Sequence, residues 1–379
     1  MLVRIGHHRR ATANHTWHVD ICGHPLFLKA NPTIGEARRE TAGYRAIAGH
    51  YPVPALHAHG RAGRWYLHLY RRAPGVGTDR GLLLDVIAAA ESTGVYDELD
   101  TAAADLIGHY RRVISATARR RQPEQLVQKL FGERIAPGGR LDTYYRPGRP
   151  WIGGHGGHRL LAGDLPRTTL LFNGVRHRVD LPALLTELRT WVGSQRAVWS
   201  AVTQGDPTAA NLGWSMRERA TWFDYDTGGF NALAGEFAVA LVDLLLHGAR
   251  FTPAINPGAY RDHPSALATA PAAPGATLHH RRAGLIEADI HHQPSPARRR
   301  LATTYLRALV APVADELGIT DIAGWLRPYL LTRLLGVYHP GDLSPADAVV
   351  LLAAITQVQN RNLDLATLFD LTTPVEATR

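Results

Sequence analysis

The stretch from Thr203 to Gly229 constrains this chain more than any other. Asp206 is followed five positions later by Asn211, and the apolar run 221–223 predicts a short strand that ends at Asp224. Hard cations take oxygen ligands, and a phosphoryl acceptor needs a positioned base. Two carboxylates and an amide on consecutive turns therefore indicate a site that positions a hydroxyl and holds Mg²⁺ against a nucleotide. Each residue alone is more often a cap or a turn residue, and the joint pattern carries the prediction.

Length and composition set the outer limits. With 379 residues the chain can form a large core, or two lobes that share one cleft. A single cysteine, Cys22, excludes an internal disulfide and fits a reducing compartment. The sequence shows neither a signal peptide nor an apolar run long enough for a membrane span, so we expect a cytoplasmic protein without a membrane partner.

The net charge of +9 raises the possibility of nucleic-acid binding. The arginine runs at 119–121 and 298–300 are short and far apart, and no aromatic residues interleave with them as a stacking platform requires. We therefore expect solvated helix faces and no nucleic-acid partner. Lysine occurs only at Lys29 and Lys129 in this arginine-rich chain, which favours a specific role for a retained lysine.

The first seventy residues predict a small sheet with one helix. Leu2–Gly6, Trp17–Ile21 and Leu26–Lys29 predict strands, and the polar segment His7–Thr16 predicts a turn between the first two. A further strand is predicted over Trp65–Tyr70.

A capping box predicts the start of the helix that follows the third strand. Thr33 and Glu36 have the required spacing, and the helix is expected to run to about Gly49. Because Glu36 is used at the cap, Glu40, one turn later, is left to face the sheet.

The remaining chain is predicted to be mainly helical, with a lobe boundary near Pro74–Gly75. The fold class is thus α+β: an antiparallel-sheet lobe over residues 1–74 and a helical lobe over residues 75–379. The larger lobe contains the 203–229 stretch and a divergent insertion at about 97–200. Its predicted elements are helices at 81–89, 102–120, 182–200 and 233–247, a hairpin at 169–179, a loop-rich section at 253–296 and further helices at 301–357.

In these features the chain resembles the aminoglycoside phosphotransferase and choline kinase superfamily, small-molecule kinases with a protein-kinase-like fold. The matching positions, in chain order, are Lys29, Glu40, Val53–Pro54, Pro74–Gly75, Gly205–Asp206, Asn211 and Phe223–Asp224.

The resemblance implies a role for each matching residue. Asp206 would be the catalytic aspartate that orients the acceptor hydroxyl, while Asn211 and Asp224 would hold Mg²⁺. Lys29, oriented by Glu40, would contact the phosphates of ATP, with GTP as the alternative nucleotide. The adenine would bind to backbone groups of Tyr70, Arg71 and Arg72.

Three positions depart from the family pattern. Gln204 stands where the family usually has a histidine, which supports the catalytic loop by hydrogen bonds; glutamine can also donate and accept. The His7–Thr16 turn has no glycine, although backbone must approach phosphates there. At Glu236 the family more often has an aspartate. A solvent-facing acid near a helix N-terminus is at least as good an interpretation of Glu236 as a structural contact with the catalytic loop. A pseudokinase that binds nucleotide without efficient transfer therefore stays open.

The acceptor is the least constrained part of the prediction. Residues 97–200 contain sixteen Arg and Lys against ten Asp and Glu, whereas polycationic aminoglycosides require an acidic pocket. A neutral or anionic hydroxyl compound is therefore favoured, with an aminoglycoside kinase as a further alternative. The glycine-rich section at 153–157 favours a lid, and metal binding by the pairs 155/158, 279/280 and 291/292 is not expected. Monomer and homodimer both remain open.

Overall fold

A computed structural model of the chain describes residues 3–9, 14–72, 81–146, 148–152, 160–217, 219–282 and 284–372. The predicted lobe junction at Pro74–Gly75, the glycine-rich section at 153–157 and the histidine pair 155/158 lie outside the described residues. The boundary between residues 74 and 75 accordingly stays a prediction. The described part is a mixed α+β fold with an antiparallel N-terminal sheet and a helical C-terminal region, as expected.

The described strands are numbered in chain order. They are β1 (Val3–Arg9), β2 (His15–Ile21), β3 (His24–Asn31), β4 (Leu56–Ala62), β5 (Trp65–Arg71), β6 (Arg119–Arg121), β7 (Pro150–Ile152), β8 (Leu160–Leu161), β9 (Thr169–Phe172), β10 (Val175–His177), β11 (Val198–Thr203), β12 (Leu212–Ser215), β13 (Arg219–Trp222), β14 (Gly229–Ala232), β15 (Ala276–Arg282) and β16 (Leu285–Ile290).

The described α-helices follow the same convention. They are α1 (Ile34–Ile47), α2 (Leu83–Thr93), α3 (Asp97–Thr117), α4 (Gly132–Ile135), α5 (Arg140–Tyr144), α6 (Leu181–Ser194), α7 (Leu233–Val242), α8 (Thr252–Ile255), α9 (Pro264–Ala268), α10 (Pro296–Tyr305), α11 (Ala311–Glu316), α12 (Ile322–Val337) and α13 (Pro345–Gln359). π-Helical turns at Asp243–Phe251 and Leu306–Val310 continue α7 and α10.

The chain forms two compact units. Unit 1 comprises Met1–Arg119, Ser200–Ala232 and Thr252–Ala270, and unit 2 comprises Arg120–Trp199, Leu233–Phe251 and Pro271–Arg379. Unit 1 therefore contains both the N-terminal sheet and the whole of the 203–229 stretch.

The sheet of unit 1 has the strand order β1-β2-β3-β5-β4, and every neighbouring pair is antiparallel. Strand β3 is central, and its Lys29 lies opposite Thr16 of β2 and His68 of β5. Because β3 is hydrogen-bonded on both sides, the backbone that carries Lys29 is fixed.

Helix α1 begins at the predicted capping box. The Thr33 hydroxyl accepts a hydrogen bond from the Glu36 backbone N–H at 3.2 Å and donates one to the Glu36 carboxylate at 2.9 Å. The next buried acid along the helix is Glu40. The prediction that Glu36 serves the cap and Glu40 faces inward is confirmed.

In unit 2, α7 packs beside α12, and α12 beside α13, around a leucine-, valine- and alanine-rich core. A second sheet has the order β10-β9-β16-β15, with β9 and β16 parallel. Arg250 and Asp347 form a buried ion pair at 2.5 Å inside this unit. Glu236, in the first turn of α7, is buried and does not face solvent.

Several element boundaries differ from the sequence expectations. Strand β1 continues through Arg9, so His7 and His8 of the predicted turn belong to a strand; residues 10–13 lie outside the described residues. Strand β4 was not expected because six of its seven residues are exposed, which removes the alternating pattern. The helix predicted to reach Ser200 ends at Ser194, and β11 begins at Val198.

One helical stretch, Leu233–Ile255, is long and apolar enough to cross a membrane by length and composition alone, contrary to the sequence expectation. Of its most apolar window, 83% is buried within the protein, as in the core helix of a globular fold. The sequence predicts this helix over 233–247 only, and Glu236, Asp243 and Arg250 interrupt its apolar residues, so no uninterrupted apolar run of membrane-spanning length stands out.

Candidate active site

Lys29 lies between two carboxylates in unit 1. Its Nζ atom is 2.7 Å from Glu40 Oε2 and 2.5 Å from Asp224 Oδ1. The side chains of Lys29 and Glu40 are 8% and 1% exposed, whereas that of Asp224 is 42% exposed. The structure thus brings together three residues that are 11 and 195 positions apart in the sequence.

The charge on Lys29 is fixed by these neighbours. Burial by itself lowers the pKa of the ammonium group, but the carboxylates of Asp224, Glu40 and Asp226 outweigh burial and raise it above the ordinary value. Lys29 therefore carries a positive charge at neutral pH at this point of the sheet.

Glu40 is held from its other side by a tyrosine. The Tyr70 hydroxyl donates to Glu40 Oε1 at 2.8 Å, and both side chains are buried. Burial raises the pKa of Tyr70, and the Glu40 carboxylate raises it further, so the hydroxyl remains a donor. From the sequence, only backbone contacts are predicted for residue 70, so this side-chain role is an addition from the structure.

The backbone at the end of β5 is partly engaged. The Arg71 N–H donates to Ala55 O at 2.8 Å, and the Arg72 N–H donates to Pro25 O at 3.1 Å. The predicted adenine contacts of Tyr70, Arg71 and Arg72 stay a prediction. They would have to use backbone groups other than these two N–H donors.

A hydrogen-bond network around His68 lies on β5, opposite Lys29 of β3. His68, opposite Lys29, contacts Asn31 Nδ2 through Nδ1 at 3.1 Å and the Thr41 hydroxyl through Nε2 at 2.9 Å. Burial lowers the pKa of His68 to about 4, and the nearby Lys29 charge contributes to the shift. A neutral imidazole therefore ties β3, β5 and α1 together behind Lys29.

The segment that carries Asp206 begins at a glycine that the backbone requires. Gly205 has φ +89°, and a Cβ atom there would lie 2.3 Å from Thr227 O. Asp206 follows, and its backbone carbonyl accepts from the Asn211 side-chain amide at 2.9 Å. Asp206 and Asn211 are thus held in one compact turn.

Gln204 joins this turn to the Asp224 segment. Its Nε2 atom donates to Phe223 O at 2.9 Å and to Asp224 O at 2.7 Å, while its Oε1 atom accepts from the Asp206 N–H at 2.8 Å. Only one orientation of the amide matches two carbonyl acceptors and one N–H donor. The fully buried glutamine supplies the loop support that a histidine was expected to give.

Asn211 and Asp224 lie at the open end of the β12–β13 hairpin. The Phe223 N–H donates to Asn211 O at 3.0 Å, one position before Asp224. Since the amide nitrogen of Asn211 is engaged with Asp206, its amide oxygen is the atom left for a cation. A carboxylate and an amide oxygen are suitable ligands for Mg²⁺, which also keeps water and substrate phosphate ligands.

Asp224 has an unusual backbone. Its φ of 56° and ψ of 80° place a non-glycine residue in the left-handed region. Such a conformation costs on the order of 1 kcal/mol or more and persists only where surrounding contacts enforce it. Here the Lys29 ion pair and the Gln204 hydrogen bond to Asp224 O provide that enforcement.

One histidine of each doublet has an ordinary partner. His279 contacts Asp289 at 2.7 Å, and His291 contacts the Thr277 hydroxyl at 2.9 Å. Within the described ranges, no group of three or more His, Cys, Asp or Glu side chains is arranged to hold a metal ion.

Comparison with solved structures finds small-molecule kinases. The aminoglycoside phosphotransferase APH(4)-Ia is similar over 95% of both chains, with a TM-score of 0.49 and 13% identity. The amicoumacin kinase hAmiN, in complex with AMP-PNP, Ca²⁺ and Ami, covers 97% of this chain and 90% of its own, with a TM-score of 0.47 and 12% identity. An ethanolamine kinase from Plasmodium vivax covers 96% and 79%, with a TM-score of 0.43 and 9% identity.

No family model and no curated protein matches the sequence. The similar solved structures are of the class that the sequence resemblance named. With TM-scores below 0.5 and identities of 9–13%, these likenesses do not extend to the activity or the substrate of this chain.

Proposed function

We propose that the chain is an ATP-dependent phosphotransferase that passes the γ-phosphoryl group to a hydroxyl of a small metabolite or natural product. One observation carries the proposal. The Lys29 ammonium group is held between a buried acid, Glu40, and a half-exposed acid, Asp224. The Gln204 side chain hydrogen-bonds to the backbone of Asp224 and of Asp206, and so joins the segments that carry these two residues. A cation, a candidate metal-binding carboxylate and a candidate base are thus linked through ion pairs and hydrogen bonds.

The residues of the site divide the tasks of phosphoryl transfer. Asp206 receives the proton of the acceptor hydroxyl, or orients that hydroxyl for attack. Lys29 neutralises phosphate charge, and Glu40 and Tyr70 keep its side chain in place. Asn211 and Asp224 provide oxygen ligands for Mg²⁺, which when bound would neutralise charge on the phosphates.

Lys29 keeps one N–H donor for a nucleotide phosphate. Its Nζ atom contacts Glu40 and Asp224, which use two of the three donors of the ammonium group. Asp224 is the more exposed partner and the one with a second task, so its contact is the one that would loosen when Mg²⁺ binds. The Glu40 contact, buried and supported by Tyr70, persists.

We further propose that the acceptor is neutral or anionic. The excess of arginine over acidic residues between positions 97 and 200 disfavours a polycationic aminoglycoside. A sugar, nucleoside or hydroxylated acid fits this balance.

The test is ADP formation by the purified chain with Mg-ATP and a panel of neutral, anionic and cationic hydroxyl compounds. Asp206→Asn and Asp224→Ala should abolish turnover while the melting temperature changes little. Gln293→Glu, a change at an exposed glutamine outside the site, is the matched control. Tight Mg-ATP binding without turnover across the panel, and without slow hydrolysis, would identify a nucleotide-binding pseudokinase.

A further inference from the structure

Helix α1 touches the Asp224 segment through backbone alone at one point. A Cβ atom on Gly43 would lie 1.7 Å from Tyr225 O, 2.9 Å from Tyr225 C and 3.1 Å from Gly228 N. Reciprocally, a Cβ atom on Gly228 would lie 2.9 Å from Gly43 O and 3.1 Å from Gly43 C. No flexible side chain stands between them, so any side chain at position 43 must push the two backbones apart.

Conformation does not explain these glycines. Gly43 lies within helix α1, and Gly228 has φ −68°, so other residues could adopt both backbones. A glycine inside a helix also weakens it relative to alanine. The close approach of two segments is therefore the physical reason that both positions lack a side chain.

The approach sets the distance between the two acids that hold Lys29. Glu40 lies three residues before Gly43, on the same face of α1. Asp224 and Gly228 flank the 3₁₀ turn Tyr225–Thr227, which is closed by the hydrogen bond from Gly228 N–H to Tyr225 O at 2.8 Å. Moving this turn away from α1 would move Asp224 away from Glu40.

Contacts around the glycine pair strengthen this coupling. The Tyr225 ring packs edge-on against the Tyr44 ring, with centroids 5.2 Å apart, and in a tilted arrangement against the Tyr70 ring at 5.4 Å. The Thr227 hydroxyl donates to Gln204 O at 2.8 Å, which joins the same turn to the Asp206 segment. The 3₁₀ turn thus contacts α1 on one side and the Asp206 segment on the other.

We propose that Gly43 and Gly228 are positioning residues that fix the separation of α1 from the Asp224 turn and so place Lys29 between Glu40 and Asp224. The catalytic consequence rests on the proposed phosphotransferase function. The geometric consequence concerns Lys29 alone and does not depend on it.

The experiment uses the scarcity of lysine in this chain. Lys29 and Lys129 are the only lysines, so acylation by an N-hydroxysuccinimide ester can be followed at both by mass spectrometry, with Lys129 as the internal reference. Only the neutral amine reacts, and Lys29 is buried and strongly paired. In Gly43→Ala we expect Lys29 to be acylated faster than in the wild type, relative to Lys129, because the separated carboxylates no longer enclose its Nζ atom. Turnover, where the wild type shows it, should fall in parallel.

Gly35→Ala is the matched control. It makes the same substitution in the same helix, and its Cβ atom would meet only the Thr33 hydroxyl oxygen at 4.0 Å. Gly228→Ala gives a second, milder perturbation, because its contacts are longer than the 1.7 Å of Gly43. The expected order of Lys29 reactivity is Gly43→Ala, then Gly228→Ala, with Gly35→Ala equal to the wild type.

The outcomes separate this proposal from the proposed function. If Gly43→Ala does not fold, the comparison of Gly228→Ala with Gly35→Ala decides. Faster acylation of Lys29 in a folded glycine variant supports the positioning role even when no acceptor is phosphorylated by the wild type. The positioning role is overturned if Lys29 in every folded glycine variant is acylated at the same rate as in Gly35→Ala and the melting temperature is unchanged.

Discussion

Replacing Gln204 should disconnect the Asp206 segment from the Asp224 segment. The fully buried side chain makes three hydrogen bonds, all to backbone groups and all between 2.7 and 2.9 Å. Gln204→Leu keeps a similar volume and removes all three. At about 1 kcal/mol for each net hydrogen bond, the free energy of unfolding should fall by roughly 3 kcal/mol.

Gln204→Glu tests the same hydrogen bonds more specifically. It keeps the size and shape of the side chain and replaces the donating amide nitrogen with a carboxylate oxygen. One carboxylate oxygen can still accept from the Asp206 N–H, but the other faces Phe223 O and Asp224 O, which are also acceptors. The new carboxyl should therefore bind a proton in the folded state, with its pKa above the unfolded value of about 4.3. Since the folded state then binds more protons, its stability is lost as pH rises through that raised pKa.

The assay is urea-induced unfolding followed by fluorescence, between pH 4 and pH 8. The gap in unfolding free energy between the wild type and Gln204→Glu should widen as pH rises, whereas Gln293→Glu, at an exposed position, should show no such trend. Equal stabilities of the wild type, Gln204→Leu and Gln204→Glu would refute the reasoning that this side chain holds the two segments together.

The remaining predictions concern the charges of the site. Asp206→Asn should lower turnover by at least about 100-fold, as loss of a positioned base does, with nucleotide affinity unchanged in a calorimetric titration; equal loss of affinity would show that Asp206 binds nucleotide instead. Asp224→Ala should lower the free energy of unfolding by less than about 1 kcal/mol, because the ion pair it removes is half-exposed, yet should abolish Mg²⁺-dependent nucleotide binding. Chelation of Mg²⁺ should stop turnover, and added Mg²⁺ should restore it; turnover that survives chelation would contradict the metal role. As pH falls from 6.5 to about 4, the wild type should lose about 1 to 3 kcal/mol of stability that His68→Gln does not lose, because the unfolded chain binds a proton that the folded His68 excludes. Parallel pH profiles of the two proteins would contradict the buried network around His68.

The sequence was sufficient where local pattern and chemistry agree. The capping box at Thr33 and Glu36 fixes the start of α1, and helical spacing then turns Glu40 inward. The scarcity of lysine singled out Lys29, and resemblance to a family supplied its partner. The structure places Lys29, Glu40 and Asp224 in contact, although their roles in catalysis stay predictions.

Other features depend on contacts that no local pattern encodes. Gly43 looks like a weak point in a helix until the Tyr225 carbonyl is placed against it. In the sequence, Tyr70 is one residue of an apolar strand. The hydrogen bond from its hydroxyl to Glu40 joins positions 30 apart. Neither contact leaves a trace in the spacing of residues along the chain.

Strands without clear alternation were also missed. Strand β4 lies at the edge of its sheet and exposes most of its residues, so hydrophobic periodicity is lost. The β15–β16 hairpin lies in a section predicted to be loop-rich, because its histidines and arginines hide the strand pattern.

Transfer of the ATP γ-phosphoryl group is the central claim, and ³¹P NMR of the chain incubated with Mg-ATP and the hydroxyl panel measures this transfer directly. The predicted result is a new phosphomonoester resonance with a neutral or anionic acceptor, with stoichiometric ADP, and its disappearance in Asp206→Asn. If Asp206→Asn and Asp224→Ala both formed the phosphomonoester at the wild-type rate, the assignment of this site would be contradicted. So would a chain that neither binds Mg-ATP nor forms ADP.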